Sequence, residues 1–151
     1  IDAGLAAFTH LGNGCPLMLH RHDNIIQRVL AADRLYWVML IPDAIHLPPS
    51  MVRTIIRAVG IERVIAVTDA TAAGGMGAGR FSLAGQEVVV DADGAAWAAD
   101  RSHLVGSTAS MSRISAVLRN EVGLTDDEVA MVTGVNPARA IHAGDTCLEN
   151  S

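Results

Sequence analysis

Residues 63–70 read RVIAVTDA, a short apolar run that ends on Thr68 and Asp69. Two other stretches have the same build: residues 5–13, LAAFTHLGN, and residues 35–46, LYWVMLIPDAIH. Each is an apolar run with polar groups where it stops. Strands buried on both faces read as continuous apolar runs, as they do in parallel sheets. Strand, polar tip, helix, strand is the βα logic of a barrel or a doubly wound sheet. In both architectures the chemistry gathers at the carboxyl ends of the strands. His10, Asn13, Asp43, His46 and Asp69 are therefore the first candidates for a functional site.

The rest of the composition narrows the class. The chain has 151 residues, half of them hydrophobic, enough for the core of one modest domain. Its formal charge is −5 and only 3% of its residues are aromatic, so neither phosphate neutralisation nor base stacking is expected, and no nucleic-acid partner. No uninterrupted apolar run reaches about 18 residues, so no membrane-spanning helix is expected, and the first residues do not read as a signal peptide. Cys15 and Cys147 are far apart and make no metal-type spacing, which fits reduced thiols in a cytoplasmic protein. The chain opens on IDAGLAAF without methionine, as though partway through a helix. A complete eight-unit barrel takes about 250 residues. Three units are expected here, as part of a longer chain.

Taken in order, residues 1–6 read as a helix end near Gly4, and residues 7–11 as the first strand. A loop over 12–22 carries Pro16 and the run His20, Arg21, His22. Asp23 is placed to cap a helix over 24–32, with Ile25, Ile26, Val29 and Leu30 on one face. Residues 36–41 form the second strand. Pro42 and Pro48 bracket a loop that bears Asp43 and His46. A helix over 50–59 ends at Gly60, and residues 63–68 form the third strand. The glycine-rich 71–80, TAAGGMGAGR, reads as a mobile loop over the strand ends. Weak alternation over 81–90 and 95–99, with a turn at Asp93 and Gly94, predicts a β-hairpin excursion. A helix over about 109–122 closes at Gly123, and Thr125 with Glu128 forms a capping box for a helix over 126–133. Asn136 then reads as the N-cap of a last helix, with Pro137 at its first position.

The polar tips differ in what they imply. His10 at a strand end is either a metal ligand or a hydrogen-bonded structural histidine. Asp69 ends an apolar strand. A carboxylate buried there needs a metal, a cation or several N–H donors, which points to a catalytic base, a metal ligand or a structural ion pair. His46, in its proline-rich loop, either binds substrate or caps a turn. Arg21 between two histidines suits an anion, although a solvated loop is the plainer reading. His20, His22, His103 and His142 read as surface or structural. The glycine-rich loop lacks the Walker ending, and nothing marks Cys15 as an activated thiolate.

Together the tips resemble one family. Thr9-His10-Leu11-Gly12-Asn13-Gly14 resembles the THLxNAM segment of N-acetylglucosamine-6-phosphate deacetylases, in the amidohydrolase superfamily. Ile41-Pro42-Asp43-Ala44-Ile45-His46 resembles IADGxH, and Val67-Thr68-Asp69-Ala70-Thr71-Ala72 resembles VTDAxA. Leu104-Val105-Gly106-Ser107 resembles LxGS, and Asn136-Pro137-Ala138-Arg139-Ala140 the closing NPAR(A) helix start. The motifs follow the family's order across nearly all of the chain.

The resemblance implies a distorted (β/α)8 barrel of which strands six, seven and eight are present, within an α/β fold. Residues 1–78 would supply the βα units, 79–103 the hairpin insertion and 104–145 the closing helices. His10 would be a ligand of a divalent metal, zinc first, with iron or manganese as alternatives. Asp69 would be the general base toward the attacking water and then the acid toward the leaving amine. Asn13, Arg21 and His46 would hold an amino-sugar phosphate, with Gly14 contributing backbone. A homodimer is also implied. The departures lie in the substrate loops: the family's NAM is Asn13-Gly14-Cys15 here, and its ADG is Pro42-Asp43-Ala44. The glutamate and histidine ligands implied for earlier strands have no counterpart in this sequence, so alone it is expected to be an incomplete enzyme. The alternatives are an amidohydrolase with a different amide substrate, and an inactive fragment or sugar-phosphate binding module.

Overall fold

A computed structural model describes residues 4–148, with side chains through residue 142. The expected helix end over 1–6 lies partly outside the described residues, and residues 4–6 are not helical. Three parallel strands form the first sheet in the order β1 (Ala7–Phe8), β2 (Trp37–Leu40), β3 (Val64–Ala66). Helix α1 (Ile25–Leu30) joins the first pair and α2 (Pro49–Val59) the second. The strands are shorter than the apolar runs. The parallel pairing nevertheless continues past them, through Leu11 N to Met39 O at 2.9 Å and Val67 N to Leu40 O at 2.8 Å. All of β3 is buried, as a continuous apolar run requires.

The helices cover this sheet with one apolar face each. In α2 the buried positions are Val52, Ile55 and Val59, at three- and four-residue spacing. Arg53, on another face, donates to the carbonyls of Glu121 and Val122 and ties α2 to the end of a later helix. Arg63 secures the other end of the sheet through the carbonyls of Ala32 and Leu35. One core cluster runs from Leu11 through Val38, Leu40, Ile55 and Val64 to Ile114, Leu118 and Val132.

The cap of α1 is Asn24, not Asp23. The Asn24 side chain accepts from Ile26 N and Gln27 N, while Asp23 pairs with Arg28 at 2.7 Å across an exposed surface. Both residues suit a cap. The acid one position too early has a cation within reach and leaves the amides to its neighbour.

The expected two-stranded hairpin is a three-stranded antiparallel sheet: β4 (Gly79–Leu83), β5 (Gln86–Val90), β6 (Ala96–Ala98). Ala84 and Gly85, both left-handed, split the 81–90 run into two strands. Ala73 sits fully buried against this sheet with Val88, Val90 and Ala96. Residues 71–80 are thus anchored by turns rather than lying free over the strand ends.

Helix α3 (Met111–Val117) is capped by the Ser110 hydroxyl and runs into a π-helical turn at Leu118–Val122, which stops at left-handed Gly123. Helix α4 (Asp126–Ala130) begins with the expected capping box of Thr125 and Glu128. Asn136 is not an N-cap. Its backbone is helical, and the chain passes through a π turn at Met131–Val135 straight into α5 (Asn136–Leu148). Proline inside a helix removes an N–H and crowds the preceding turn. A widened π turn just before Pro137 accommodates both effects. Freed from capping, the fully buried Asn136 side chain donates to Ile61 O at 2.9 Å and Val64 O at 2.7 Å, pinning α5 to β3. Among the described residues, no helix is long and apolar enough to cross a membrane.

Candidate active site

The carboxyl ends of the three parallel strands open onto a cavity of about 550 Å³. Its lining includes His10, Asn13, Gly14, His46 and Asp69. Five of the six residues singled out for catalysis, metal or substrate thus meet at one place. Arg21 is the exception. It lies exposed on the 12–22 loop, outside the cavity lining, and its carbonyl accepts from the Gln27 side chain. Cavities of a few hundred Å³ at strand ends are ordinary small-molecule sites.

β1 delivers His10, whose backbone turns into the left-handed region at φ 36°. Asp69, beyond β3, does the same at φ 49°. Non-glycine residues held there carry strain, and such strain collects at functional sites. Asp69 is held by its backbone: its carbonyl accepts from Ser107 N at 2.8 Å, and Thr71 N returns a bond to Ser107 O at 2.9 Å. This couples residues 104–107 to the end of β3 as a short parallel bridge between Ala70 and Ser107. Gly106, at φ +60°, makes the approach possible. A Cβ there would lie 2.6 Å from Thr71 Cγ2 and 2.9 Å from the Asp69 carbonyl oxygen.

The burial considered for Asp69 is found instead at Asp43. Asp69 is exposed, and its carboxylate pairs with no cation among the described residues. Asp43 is 1% exposed. Its Oδ1 accepts from Ile45 N at 2.9 Å and His46 N at 2.7 Å, and its Oδ2 lies 2.8 Å from His46 Nδ1. Burial pushes this carboxyl up, but the His46 ring and the two amides outweigh it and hold the group below its ordinary value. His46 therefore both closes a turn and lines the cavity. The two readings offered by the sequence are compatible.

Two buried polar atoms in this lining have no hydrogen-bond partner: His10 Nδ1 and Asn13 Nδ2. A buried polar group left unpaired is costly, so each is a position where water or a ligand would supply the missing partner. His10 Nδ1 suits a metal ligand, since neutral imidazole binds through such a nitrogen. Among the described residues no group of three or more His, Cys, Asp or Glu is arranged to hold a metal ion.

His103, read from the sequence as a surface residue, is exposed but also lines the cavity. Its Nδ1 lies 2.9 Å from the Ser102 hydroxyl, which donates to Asp100 at 2.7 Å. The one signal for it was its position just ahead of residues 104–107. His20 and His22 are loop-builders, as expected: His20 Nδ1 accepts from His22 N and Asp23 N. Cys15, also in the lining, has a thiol directed at Gly12 O at 3.5 Å. Cys147 lies outside the described side chains.

Comparison with known proteins gives the architecture a context. No family model matches the chain. A protein of Escherichia coli (strain K12), described provisionally as an N-acetylgalactosamine-6-phosphate deacetylase, is 35% identical over 133 residues, 88% of this chain and 71% of that one. The chain belongs to the amino-sugar 6-phosphate deacetylase family. An N-acetylgalactosamine-6-phosphate deacetylase of Escherichia coli O157:H7 is 35% identical over 141 residues, 93% of this chain and 33% of its own length. The solved structure of an N-acetyl-D-glucosamine-6-phosphate deacetylase variant from Mycobacterium smegmatis, in complex with N-acetyl-D-glucosamine 6-phosphate, superposes with a TM-score of 0.82 at 33% identity. That match covers 92% of this chain and 37% of the other. The chain thus spans about a third of the length of the O157:H7 relative and of the solved structure.

Proposed function

We propose that the chain is the carboxyl-terminal part of a metal-dependent amidohydrolase that removes the acetyl group from an N-acetylated amino-sugar 6-phosphate. Water and the amide become acetate and a free amine. The observation that carries this reading is the cavity at the strand ends. It gathers His10, Asn13, Gly14, His46 and Asp69 around two buried, unpartnered polar atoms. Family membership supports it.

In this reading the three parallel strands are the sixth to eighth strands of a (β/α)8 barrel. Residues 1–78 form its βα units, 79–103 an inserted sheet and 104–145 the closing helices. His10 is one ligand of a divalent ion, zinc first, and the remaining ligands come from outside the described residues. When bound, such an ion lowers the pKa of water and polarises the amide carbonyl. Asp69 takes a proton from the hydrolytic water and returns it to the departing amine nitrogen. Its exposure and lack of an ion partner leave the carboxylate free for both transfers. Asn13 and His46 orient the sugar, with the Gly14 backbone beside them. Arg21 supplies positive charge for the phosphate. Because it stands outside its own cavity, it suits a homodimer in which a second copy's loop reaches the site. A cytoplasmic location fits a phosphorylated substrate and the free thiol of Cys15.

The test is metal content together with acetate release, measured on the protein at its full natural length with N-acetylglucosamine and N-acetylgalactosamine 6-phosphates. A bound metal and acetate release that collapses in Asp69→Asn, with metal content retained, is the expected result. Bound metal without acetate from either sugar would discard the substrate. Neither metal nor turnover would leave a binding module in place of the enzyme.

A further inference from the structure

We propose that Asp43 is a positioning residue: it fixes the proton of His46 on Nδ1 and so makes Nε2 the ring atom offered to the ligand. This rests on the reading of the cavity as the substrate pocket.

The hydrogen bonds leave little freedom. Asp43 is buried, and both of its oxygens are engaged. Oδ1 holds the amides of Ile45 and His46, closing a tight turn in which Ala44 takes a left-handed conformation at φ 66°. Oδ2 is then the partner of His46 Nδ1 at 2.8 Å. An ionised carboxylate only accepts, so the contact requires hydrogen on Nδ1. The His46 side chain is 5% exposed, and its ring is locked by the same turn. Nε2 makes no hydrogen bond to the described residues, and His46 lines the cavity beside His10, Asn13 and Asp69. In the neutral ring Nε2 is an acceptor for a sugar hydroxyl. If the ring is protonated, Nε2 donates to an anionic oxygen, with Asp43 as the counter-charge. Either way one nitrogen faces the ligand and the other is committed to Asp43.

Asn at position 43 breaks this logic with almost no change of shape. An amide has one oxygen and one NH₂ where the carboxylate has two acceptors. To keep the turn, the oxygen must stay on the two backbone amides. The NH₂ then faces Nδ1, and the imidazole proton moves to Nε2. The acceptor offered to the ligand becomes a donor.

The experiment is nitrogen NMR of the full-length enzyme with ¹⁵N-labelled histidine, taken upward in pH until the His46 ring is neutral, with His46 assigned through His46→Gln. The native protein is expected to carry hydrogen on Nδ1 and none on Nε2, and Asp43→Asn the reverse. KM is expected to rise roughly tenfold to a hundredfold in Asp43→Asn with a smaller change in kcat. Adding that substitution to His46→Gln should have little further effect. Hydrogen on Nε2 with none on Nδ1 in the native protein would overturn the proposal, and that spectrum is decisive even if Asp43→Asn fails to fold. An inverted tautomer with unchanged KM in an active enzyme would overturn the role in ligand binding, as would full additivity with His46→Gln. An enzyme that turns over neither amino-sugar phosphate would overturn the deacetylase reading instead. The spectrum would still decide whether Asp43 holds the tautomer.

Discussion

Asp43 and Asp69 occupy equivalent places on neighbouring strands. Leu40 of β2 is in register with Ala66 of β3, and each aspartate comes three residues later. Their surroundings are nonetheless opposite. Asp43 is buried, accepts three hydrogen bonds and holds a turn together. Asp69 is exposed, unpaired by cations among the described residues, and held only through its backbone. A carboxylate committed to neighbouring N–H groups is structural or orienting. One that the fold presents without a partner is available to take up and release a proton. Position at a strand end does not by itself separate the two; the hydrogen-bond partners do.

The largest expected difference lies in turnover. Asp69→Asn should lower acetate release by about 10²–10⁴-fold, the usual contribution of a positioned acid or base. Stability should stay within about 0.5 kcal/mol, because the site is exposed and asparagine tolerates the left-handed backbone. Steady-state kinetics and denaturant titration on the same variant check both parts. A large loss of stability at Asp69 would erase the contrast with Asp43.

Asp43→Ala should do the reverse. It strands two backbone amides and an imidazole N–H, at a cost of about 3 kcal/mol in unfolding free energy. The effect depends on pH in a fixed direction. The folded carboxyl titrates below its ordinary value, so its stabilisation is present at neutral pH. It is lost as pH falls below the unfolded value of about 3.9 and through the lower folded one. The gap between native protein and variant should therefore narrow in acid. A gap independent of pH down to that range would mean that packing, not charge, holds the 43–46 turn.

How much of this was readable beforehand follows from the same contrast. The three parallel strands, the α2 stop at Gly60 and the capping box at Thr125 rest on local patterns, and each is present. Period and turn chemistry are local, so sequence carries them. Which strand-end carboxylate is buried depends on what packs over it, and sequence does not carry that. Asp69 is capped by the Ser107 amide from far along the chain, whereas Asp43 is enclosed by its own turn. Asn136 shows the same limit. It has the residue type of a cap, yet a π turn before Pro137 carries the helix through it, and its side chain serves β3 instead. His103 reaches the cavity because the antiparallel sheet and the bridge to Ala70 bring residues 103–107 back to the end of β3.

Gly106→Ala tests whether Asp69 depends on that borrowed support. The new methyl would meet Thr71 Cγ2 and the Asp69 carbonyl at distances that atoms do not tolerate, in a backbone conformation that suits glycine. A loss of about 1–3 kcal/mol is expected, together with a fall in kcat, because the bridge holding Asp69 must shift. The same variant should leave the tautomer of His46 untouched. An altered His46 signal would show that the two strand ends are mechanically coupled.

The smallest effect concerns where each strand end keeps its strain. At the Asp69 end the left-handed residue is the one proposed as acid and base, so relieving the strain by substitution would remove that role with it. At the Asp43 end the left-handed residue is Ala44, which carries no chemistry, and the family pattern that this segment resembles has glycine there. An alanine in that conformation is penalised by about 1–2 kcal/mol, and glycine returns about 0.5–1 kcal/mol of this through its freedom when unfolded. Ala44→Gly should therefore stabilise the protein by about 0.5 kcal/mol, a rise of about 1–2 °C in Tm for a domain of this size. It should keep Nδ1 as the protonated nitrogen of His46, because the Asp43 bonds that choose it are unchanged. Stabilisation with an unaltered His46 spectrum would show that strain and function are separable beside Asp43. A destabilised Ala44→Gly would mean that the alanine methyl packs well enough to outweigh its backbone, and that this turn, like the one at Asp69, is held by its strained residue.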